Sequence, residues 1–404
     1  MDKLQALLGI LAILGVCVLA SNNRKAINWR LVGAGLGLQL LLAILILKVP
    51  AARHFFDWMG DGIQALLDCA KNGAAFVVGD ELAKTKFVFA ITIGASIIFV
   101  GALTSMAYHL GLLQKVVKVL ASLLRKSMGV SGAEALSTGA EVFLGQVESQ
   151  LLIGKYIKHL SQSELLGIMT AAMATISGSA LVAYVGLGID PTYLMMASFM
   201  TAPAALVVAK ILLPETDKEA LDREVQLQEG EQTVNLIEAA ADGGWQGYQV
   251  AANVMVQLIV FIGLVTLANM LLSNLLSHFG LTYRIQDIIG VAFTPVAWLL
   301  GIPWDEAVRV GPLLATKSIL NEFIAYIDLA AMKTGANALS EKTQLVTTIA
   351  LCGFANLASI GINIGGLSKM APERKADIAR MGWKALCAAT LAGWLSAAIA
   401  SLLV

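Results

Sequence analysis

The sequence predicts an all-α polytopic membrane protein with eight transmembrane helices, two re-entrant helical hairpins in inverted repeats, and amphipathic helices at the membrane interface. Three observations predict it. Of 404 residues, 57% are hydrophobic and 14% charged, against about 25% charged in an ordinary soluble domain, and the mean hydropathy is +0.76. Apolar runs of bilayer-crossing length, roughly 17–25 residues, recur along the chain. Two further apolar runs are interrupted by carboxylates or prolines at corresponding places in the two halves. So apolar a chain has too little polar surface for a soluble globule, which excludes a cytosolic enzyme, a nucleic-acid binder and a disordered scaffold. The 28 basic and 28 acidic residues cancel, leaving no basic bulk for nucleic acid.

The runs 4–20, 31–49, 88–112, 165–189, 193–213, 250–276, 346–367 and 381–404 read as the eight spans. The first imitates a signal peptide but lacks an A-x-A cleavage site, so it is expected to remain as a helix. The run 131–160 carries Glu134, Glu141, Glu148 and Lys155; the run 288–326 carries Pro295, Pro303, Glu306, Pro312 and Glu322. Neither is a clean span, and each reads as a re-entrant hairpin with its tip buried in protein. Residues 52–69 mix Arg53, His54, Asp57 and Asp61 with Phe55, Phe56, Trp58 and Leu66. Residues 115–126 set Lys115, Lys118, Arg125 and Lys126 opposite Val, Leu and Ala, and both stretches suit interfacial helices. The segment 214–244 holds nine acids against Lys218 and Arg223 and reads as a solvated loop. Cys17, Cys69, Cys352 and Cys387 lie apart in apolar stretches and read as small packing residues.

Arg24, Lys25 and Arg30 place the loop 22–30 in the cytoplasm and the N-terminus outside. Alternation through eight spans then puts the basic regions 113–160 and 369–380 inside, with both termini outside. The first hairpin enters from the cytoplasm and the second from outside, each followed by two spans. Interrupted segments at corresponding places in two halves point to an inverted-repeat transporter with its site where the tips meet.

Ionisable residues at membrane depth are costly and point to function. In Glu141-Val-Phe-Leu-Gly-Gln-Val-Glu-Ser149, two carboxylates and an amide flank Gly145, which lets the helix break and frees backbone groups for a ligand. Gln146 and Glu148 suit hydrogen bonds to a polar heterocycle or sugar. In Lys317-Ser-Ile-Leu-Asn-Glu-Phe-Ile-Ala-Tyr326, Glu322 either accepts from substrate hydroxyls or pairs with Lys317. The spans behind the hairpins carry Gly-rich, hydroxyl-bearing breaks. One is Met173-Ala-Thr-Ile-Ser-Gly-Ser-Ala180; the other, from Cys352 to Gly366, carries Asn356, Ser359 and Asn363. Unwound carbonyls there suit a cation and free donors suit a substrate. Gly33-Ala-Gly-Leu-Gly37 lies inside a span and reads as close helix packing. No HExxH, GxSxG or Walker pattern occurs, and His54, His109, His159 and His278 are dispersed, so no enzyme and no zinc site are expected.

Gly145-Gln-Val-Glu148, Ser161-Gln-Ser-Glu-Leu165, Asn321-Glu-Phe-Ile-Ala-Tyr326 and Gly353-Phe-Ala-Asn-Leu-Ala-Ser-Ile-Gly361 closely resemble the concentrative nucleoside transporter family, bacterial branch. Ser21-Asn-Asn-Arg-Lys-Ala-Ile27 and Asp377-Ile-Ala-Arg-Met-Gly382 are similar to it as well, so the resemblance runs over essentially the whole chain. It implies nucleobase recognition at the first hairpin tip, over Gly145, Gln146, Val147 and Glu148. It implies that Glu322, Asn356 and Ser359 hold the ribose, with Phe354 lining that side. It also implies a homotrimer in the bacterial inner membrane, in contact with lipid, whose mobile domain carries substrate past a scaffold in an elevator-like movement. No cofactor is implied beyond a coupling ion.

The domain division that follows is scaffold 1–113, first transport repeat 114–213, acidic loop 214–247, scaffold 248–283 and second transport repeat 284–404. Two positions depart from the family pattern. Val147 replaces a hydroxyl, and Glu141 replaces an Asn that sodium-coupled members carry four residues before the Gly. Glu141 and Thr175, with the carbonyls of Leu144 and Ile176, form the implied cation site. Glu141 reads either as a sodium ligand or as a carboxyl that binds and releases a proton, with protons favoured because proton-coupled relatives lack the Asn. A pairing with a neighbouring base is the purely structural alternative. The expected function is nucleoside import by cation symport. A channel, or a transporter for another small polar metabolite, is the alternative.

Overall fold

Inside lipid, backbone N–H and C=O groups find no water, so an apolar chain satisfies them internally as helix. The computed structural model describes residues 2–85, 88–223, 225, 233–277, 284–335 and 338–404, and the chain is all-helical, with no strand among them. The first half contains α1 (Asp2–Leu19), α2 (Trp29–Lys48), α3 (Pro50–Val78), α4 (Phe89–His109), α5 (Leu112–Met128), α6 (Gly132–Glu141), α7 (Glu148–Leu151), α8 (Gln162–Ala174), α9 (Gly178–Gly186) and α10 (Pro191–Leu212). After the short α11 (Lys218–Asp222) come α12 (Leu236–Ser277), α13 (Ile285–Leu299), α14 (Trp304–Ile319), α15 (Glu322–Ala331), α16 (Glu341–Leu351), α17 (Leu357–Met370) and α18 (Lys375–Ser401).

Six stretches among the described residues are long and apolar enough to cross a membrane: Trp29–Lys48, Ala90–His109, Gln162–Gly186, Pro191–Leu212, Leu236–Leu275 and Pro372–Ser401. The expected first span lies in a shorter apolar helix, Lys3–Leu19. The expected seventh is two short helices, α16 and α17, around a break at residues 352–356. Burial separates two kinds of span. Pro191–Leu212 is 94% buried and Gln162–Gly186 83%, whereas Leu236–Leu275 is only 11% buried, so α10, α8 and α9 form the centre and α12 lies outside. α12 meets α4 along glycine: a Cβ on Gly101 would come within 2.6 Å of the Gly243 carbonyl oxygen, so only small residues allow that approach.

Local chemistry sets the ends. Ser131 and Ser161 open α6 and α8 with capping boxes whose returning carboxylates are Glu134 and Glu164. Asp190 caps α10 with Pro191 behind it, and α5 runs between left-handed Gly111 and Gly129. Along α5 the buried residues are Leu113, Val117, Ala121, Leu124 and Met128, one stripe of a helix whose lysines face away.

Three boundaries differ from the sequence reading. The acidic loop expected over 214–247 ends sooner, because α12 carries helix back to Leu236; residues 224 and 226–232 of that loop lie outside the described residues. The hairpin expected over 288–326 resolves into α13, then α14 and α15. Pro295 and Pro312 lie inside helices rather than at breaks, and Gly290 leaves the space that Pro312 fills. Helix breaks in this segment fall at residues 300–303, where Pro303 caps α14, and at Leu320 and Asn321, where no proline occurs. Of Gly33, Gly35 and Gly37, only Gly35 sits in close packing, against Val207 and Met128; the other two face open space.

Candidate functional site

The first hairpin loses helix after Glu141 and regains it at Glu148. Gly145 sits in that gap with the Glu148 carboxylate folded over it, so a Cβ there would collide with Glu148 Oε2. The first broken span loses helix at Thr175 and regains it at Gly178, where Ser177 caps the Ala180 N–H at 3.2 Å. The Gly178 N–H donates to the Phe143 carbonyl at 3.0 Å and ties the two breaks together.

On the other side, Asn321 caps α15 and presents Glu322 as its first residue. Asn356 caps α17, its Oδ1 accepting from the Ser359 N–H at 3.1 Å and the Ser359 hydroxyl at 3.2 Å. Gly353 lets this break close on the first: its φ is +100°, and a Cβ would strike the Ala174 carbonyl.

These breaks bring one polar network to the centre. Glu322, 3% exposed, accepts from the Tyr184 hydroxyl at 2.9 Å and from Asn356 Nδ2 at 3.0 Å. Gln146 Nε2 donates to the Ser359 hydroxyl at 3.2 Å, so the first hairpin tip joins the second repeat. Asn363 Nδ2 donates to Gln146 Oε1 at 2.8 Å, and Gln150 Nε2 donates to Asn363 Oδ1 at 2.6 Å. Gln146, Glu322, Asn356 and Ser359 are therefore brought together from three separate segments. Glu148 stands apart, exposed on the wall of a cavity of about 1370 Å³ that Leu144, Gly145, Ser177 and Ser179 also line. Across it stand Thr104, Ser105, Lys115 and Lys118 of α4 and α5 and Glu238 and Asp242 of α12. Val147 packs on Gly366, whose Cβ would meet its methyls at 3.0 and 3.2 Å, and Phe354 is half-buried.

Glu141 is 1% exposed, and its carboxylate accepts from the Ser149 hydroxyl, bridging the two arms of the hairpin. It makes no ion pair within the described residues, so the pairing with a base does not form. The Thr175 hydroxyl donates to the Ala171 carbonyl at 3.0 Å, and the Thr175 carbonyl accepts from Phe354 at 3.3 Å. Among the described residues no donor reaches the carbonyls of Leu144 or Ile176. Lys317 does not pair with Glu322; it donates to the carbonyls of Ala350 and Cys352, both at 3.0 Å. No group of three or more His, Cys, Asp or Glu side chains that could hold a metal is present among the described residues.

Tyr184 and Gln150 belong to the network although sequence reasoning assigned them no role, and Asn363, which it named only as a polar residue of the second break, belongs to it too. Spacing carries a signal for two of them, since Gln150 follows Gln146 by four residues and Asn363 follows Ser359 by four, one helical turn apart. Tyr184 sits in an apolar run with no such signal.

Three family models tile the chain. One, the C-terminus of the Na+ dependent nucleoside transporters, matches residues 193–401. The N-terminus of the same family matches 8–81, and a nucleoside recognition gate model matches 90–190. The chain belongs to the Na+ dependent nucleoside transporter family. An uncharacterized transporter of Haemophilus influenzae is 41% identical over 100% of this chain and 98% of its own. YutK, an uncharacterized transporter of Bacillus subtilis, is 40% identical, with 100% of both chains covered. Human sodium/nucleoside cotransporter 1 is 36% identical over 100% of this chain and 64% of its own length. Among solved structures, CNTnw in an inward-facing substrate-bound state superposes with a TM-score of 0.94 at 37% identity, covering 100% of this chain and 98% of that one. A CNTnw variant in its intermediate 2 state reaches 0.96 at 38% identity, covering 100% and 99%.

Proposed function

We propose that this protein is a nucleoside:cation symporter, importing nucleosides across the bacterial inner membrane with both termini outside. The observation that carries the reading is the acceptor count at Glu322. A carboxylate offers about four lone-pair sites; Tyr184 and Asn356 take one on each oxygen. One site per oxygen is left, which matches the vicinal hydroxyl pair of a ribose. Ser359 and Asn356 extend that subsite, and Phe354 lines it. Gln146 and Glu148 address the base from the hairpin tip, with Gly145 allowing the approach. Val147, turned against Gly366, offers the base no hydroxyl.

For the coupling ion we favour protons at Glu141, since a carboxyl there can take up and release a proton as an Asn cannot. Sodium is the second reading, and the donor-free carbonyls of Leu144 and Ile176 beside Glu141 and Thr175 favour it. Either ion would act through Ser149, which lies between Glu148 and Gln150 on α7. In the same reading the hairpins, broken spans and α10 form the moving body. α4 and α12 form the scaffold of a homotrimer, which agrees with the exposed apolar side chains Val256, Ile259, Leu264 and Leu267 on α12.

Counterflow of labelled uridine in proteoliposomes tests the proposal. A symporter gives a trans-stimulated overshoot of unaltered uridine. A channel gives no overshoot, and a transporter of another metabolite ignores uridine.

A further inference from the structure

Lys317 is a buried cation for which substrate binding has no use. It is 1% exposed, and its ammonium donates to the carbonyls of Ala350 and Cys352. These two belong to the C-terminal end of α16, where the last carbonyls lack helical donors and the helix dipole is negative. Two neighbouring carbonyls there are already served. Tyr326 donates to the Thr348 carbonyl at 2.9 Å, and the Cys352 N–H reaches Thr348 and Ile349 at 3.1 Å. Gly393 of α18 stands opposite: a Cβ there would meet the Cys352 and Ala350 oxygens at 3.6 and 3.9 Å and the ammonium at 4.0 Å, so the glycine leaves room around the cation.

The two repeats share one order of parts: hairpin arm, break, returning arm, half-span, break, half-span. In the first, the arm α6 ends on Glu141 and the half-span α8 ends at Ala174, with Thr175 beyond it. In the second, Lys317 lies in the last turn of the arm α14, and the half-span α16 ends at Leu351, with Cys352 beyond it. Glu141 and Lys317 therefore occupy equivalent stations with opposite charge. An acid beside donor-free carbonyls makes a place for a cation that can leave. An ammonium bonded to carbonyls at the end of the matching half-span is a cation that cannot.

We propose that Lys317 is a tethered cation, standing in the second repeat where the first repeat takes its mobile coupling ion, and that it holds the stoichiometry at one coupling ion per nucleoside. This rests on the cation site proposed for the first repeat. The test uses the full-length protein in liposomes, with nucleoside and ion gradients set against each other until net flux is zero. The wild type is expected to balance at one ion per nucleoside; a ratio of two overturns the proposal whatever the variants do. Lys317→Met keeps the stem without the charge and is expected to lose concentrative uptake; accumulation at the wild-type ratio overturns the proposal. Lys317→Ala is expected to regain uptake with propylammonium and not with propanol, and a folded variant that propylammonium fails to rescue overturns it. Thermal unfolding reports whether each variant is folded, and if neither is, the wild-type ratio decides. Wild-type protein that shows no uridine counterflow marks failure of the nucleoside reading, a separate outcome.

Discussion

Glu322→Gln separates the charge and acceptor capacity of the carboxylate from its role in the fold. Asn356 cannot turn its amide, because Oδ1 already takes two hydrogen bonds from Ser359. The new side chain must therefore give its oxygen to Asn356 Nδ2 and its NH2 to the Tyr184 hydroxyl, which can accept as well as donate. The internal network survives, and the protein should stay folded. What is lost is one ribose acceptor outright and the charge behind the other. A hydrogen bond to a charged group contributes about 1.5–3 kcal/mol and a neutral one about 1. The combined loss is about 3–4 kcal/mol, or roughly a hundred- to a thousand-fold in kcat/KM at about 1.4 kcal/mol per tenfold. Initial uptake of labelled uridine and 2′-deoxyuridine into proteoliposomes measures it. Because the variant has already lost the contact, the penalty for 2′-deoxyuridine should shrink as well. Uridine uptake within threefold of wild type, or discrimination between the two sugars unchanged, would refute the ribose assignment.

Four further perturbations follow. Glu141→Gln should abolish uptake driven by an inward proton gradient in sodium-free vesicles, and strict sodium dependence of the wild type would sink the proton reading. Asn363→Ala removes the donor that holds Gln146 Oε1; uptake ratios between uridine and inosine should move by about fivefold, the worth of one neutral hydrogen bond of about 1 kcal/mol, and constant ratios would count against Gln146 as the base reader. Gly353→Ala places a side chain at φ +100° against the Ala174 carbonyl and should cost at least about 1–3 kcal/mol in backbone strain, read as a lower thermal unfolding midpoint. Lys210→Met orphans Glu134, its buried partner at 2.7 Å, and should cost about 3–5 kcal/mol. Much of that loss should return in the double variant Lys210→Met with Glu134→Gln, and a single variant of wild-type stability would refute the pairing.

The helical, membrane-embedded character of the chain was legible because hydropathy and length decide it. The polar residues at the breaks were legible because a polar side chain in an apolar run has few explanations. The prolines of the second hairpin were weak markers for the opposite reason. Proline removes one hydrogen bond, and Gly290 absorbs the bulk of Pro312, so the helix continues. One break does precede α14 at Pro303; the other falls at Leu320 and Asn321, where the Asn321 side chain starts a new helix by capping it. Tyr184 was invisible because its role depends on a contact with Glu322, 138 residues away in the chain. The pairing of Lys317 with Glu322 looked natural at a spacing of five residues. A helix end intervenes, and the ammonium finds two carbonyls that would otherwise lack donors.

The placement of Glu141 bears on how an ion could govern a substrate it does not touch. Among the described residues its one side-chain hydrogen bond comes from Ser149, so the end of α6 is fastened to a four-residue helix that also carries Glu148 and Gln150. Glu148 reaches back over Gly145, and Gln150 fixes Gln146 through Asn363. Gln146 and Glu148, the groups proposed to address the base, thus hang from the element that the carboxylate holds. In the proposed reading a proton or sodium ion at Glu141 competes for the lone pairs that Ser149 now uses, and a shift of α7 reaches the Gln146 amide oxygen through Gln150 and Asn363. A ligand can shift an equilibrium only by its differential affinity for the two states. In the proposed reading the ion's differential affinity would come from whether Ser149 stays on the carboxylate. Ser149→Ala cuts that link without touching ion or nucleoside. It should therefore leave uridine binding measurable while making it independent of the coupling-ion concentration; binding that stays ion-dependent in that variant would show that the coupling runs elsewhere.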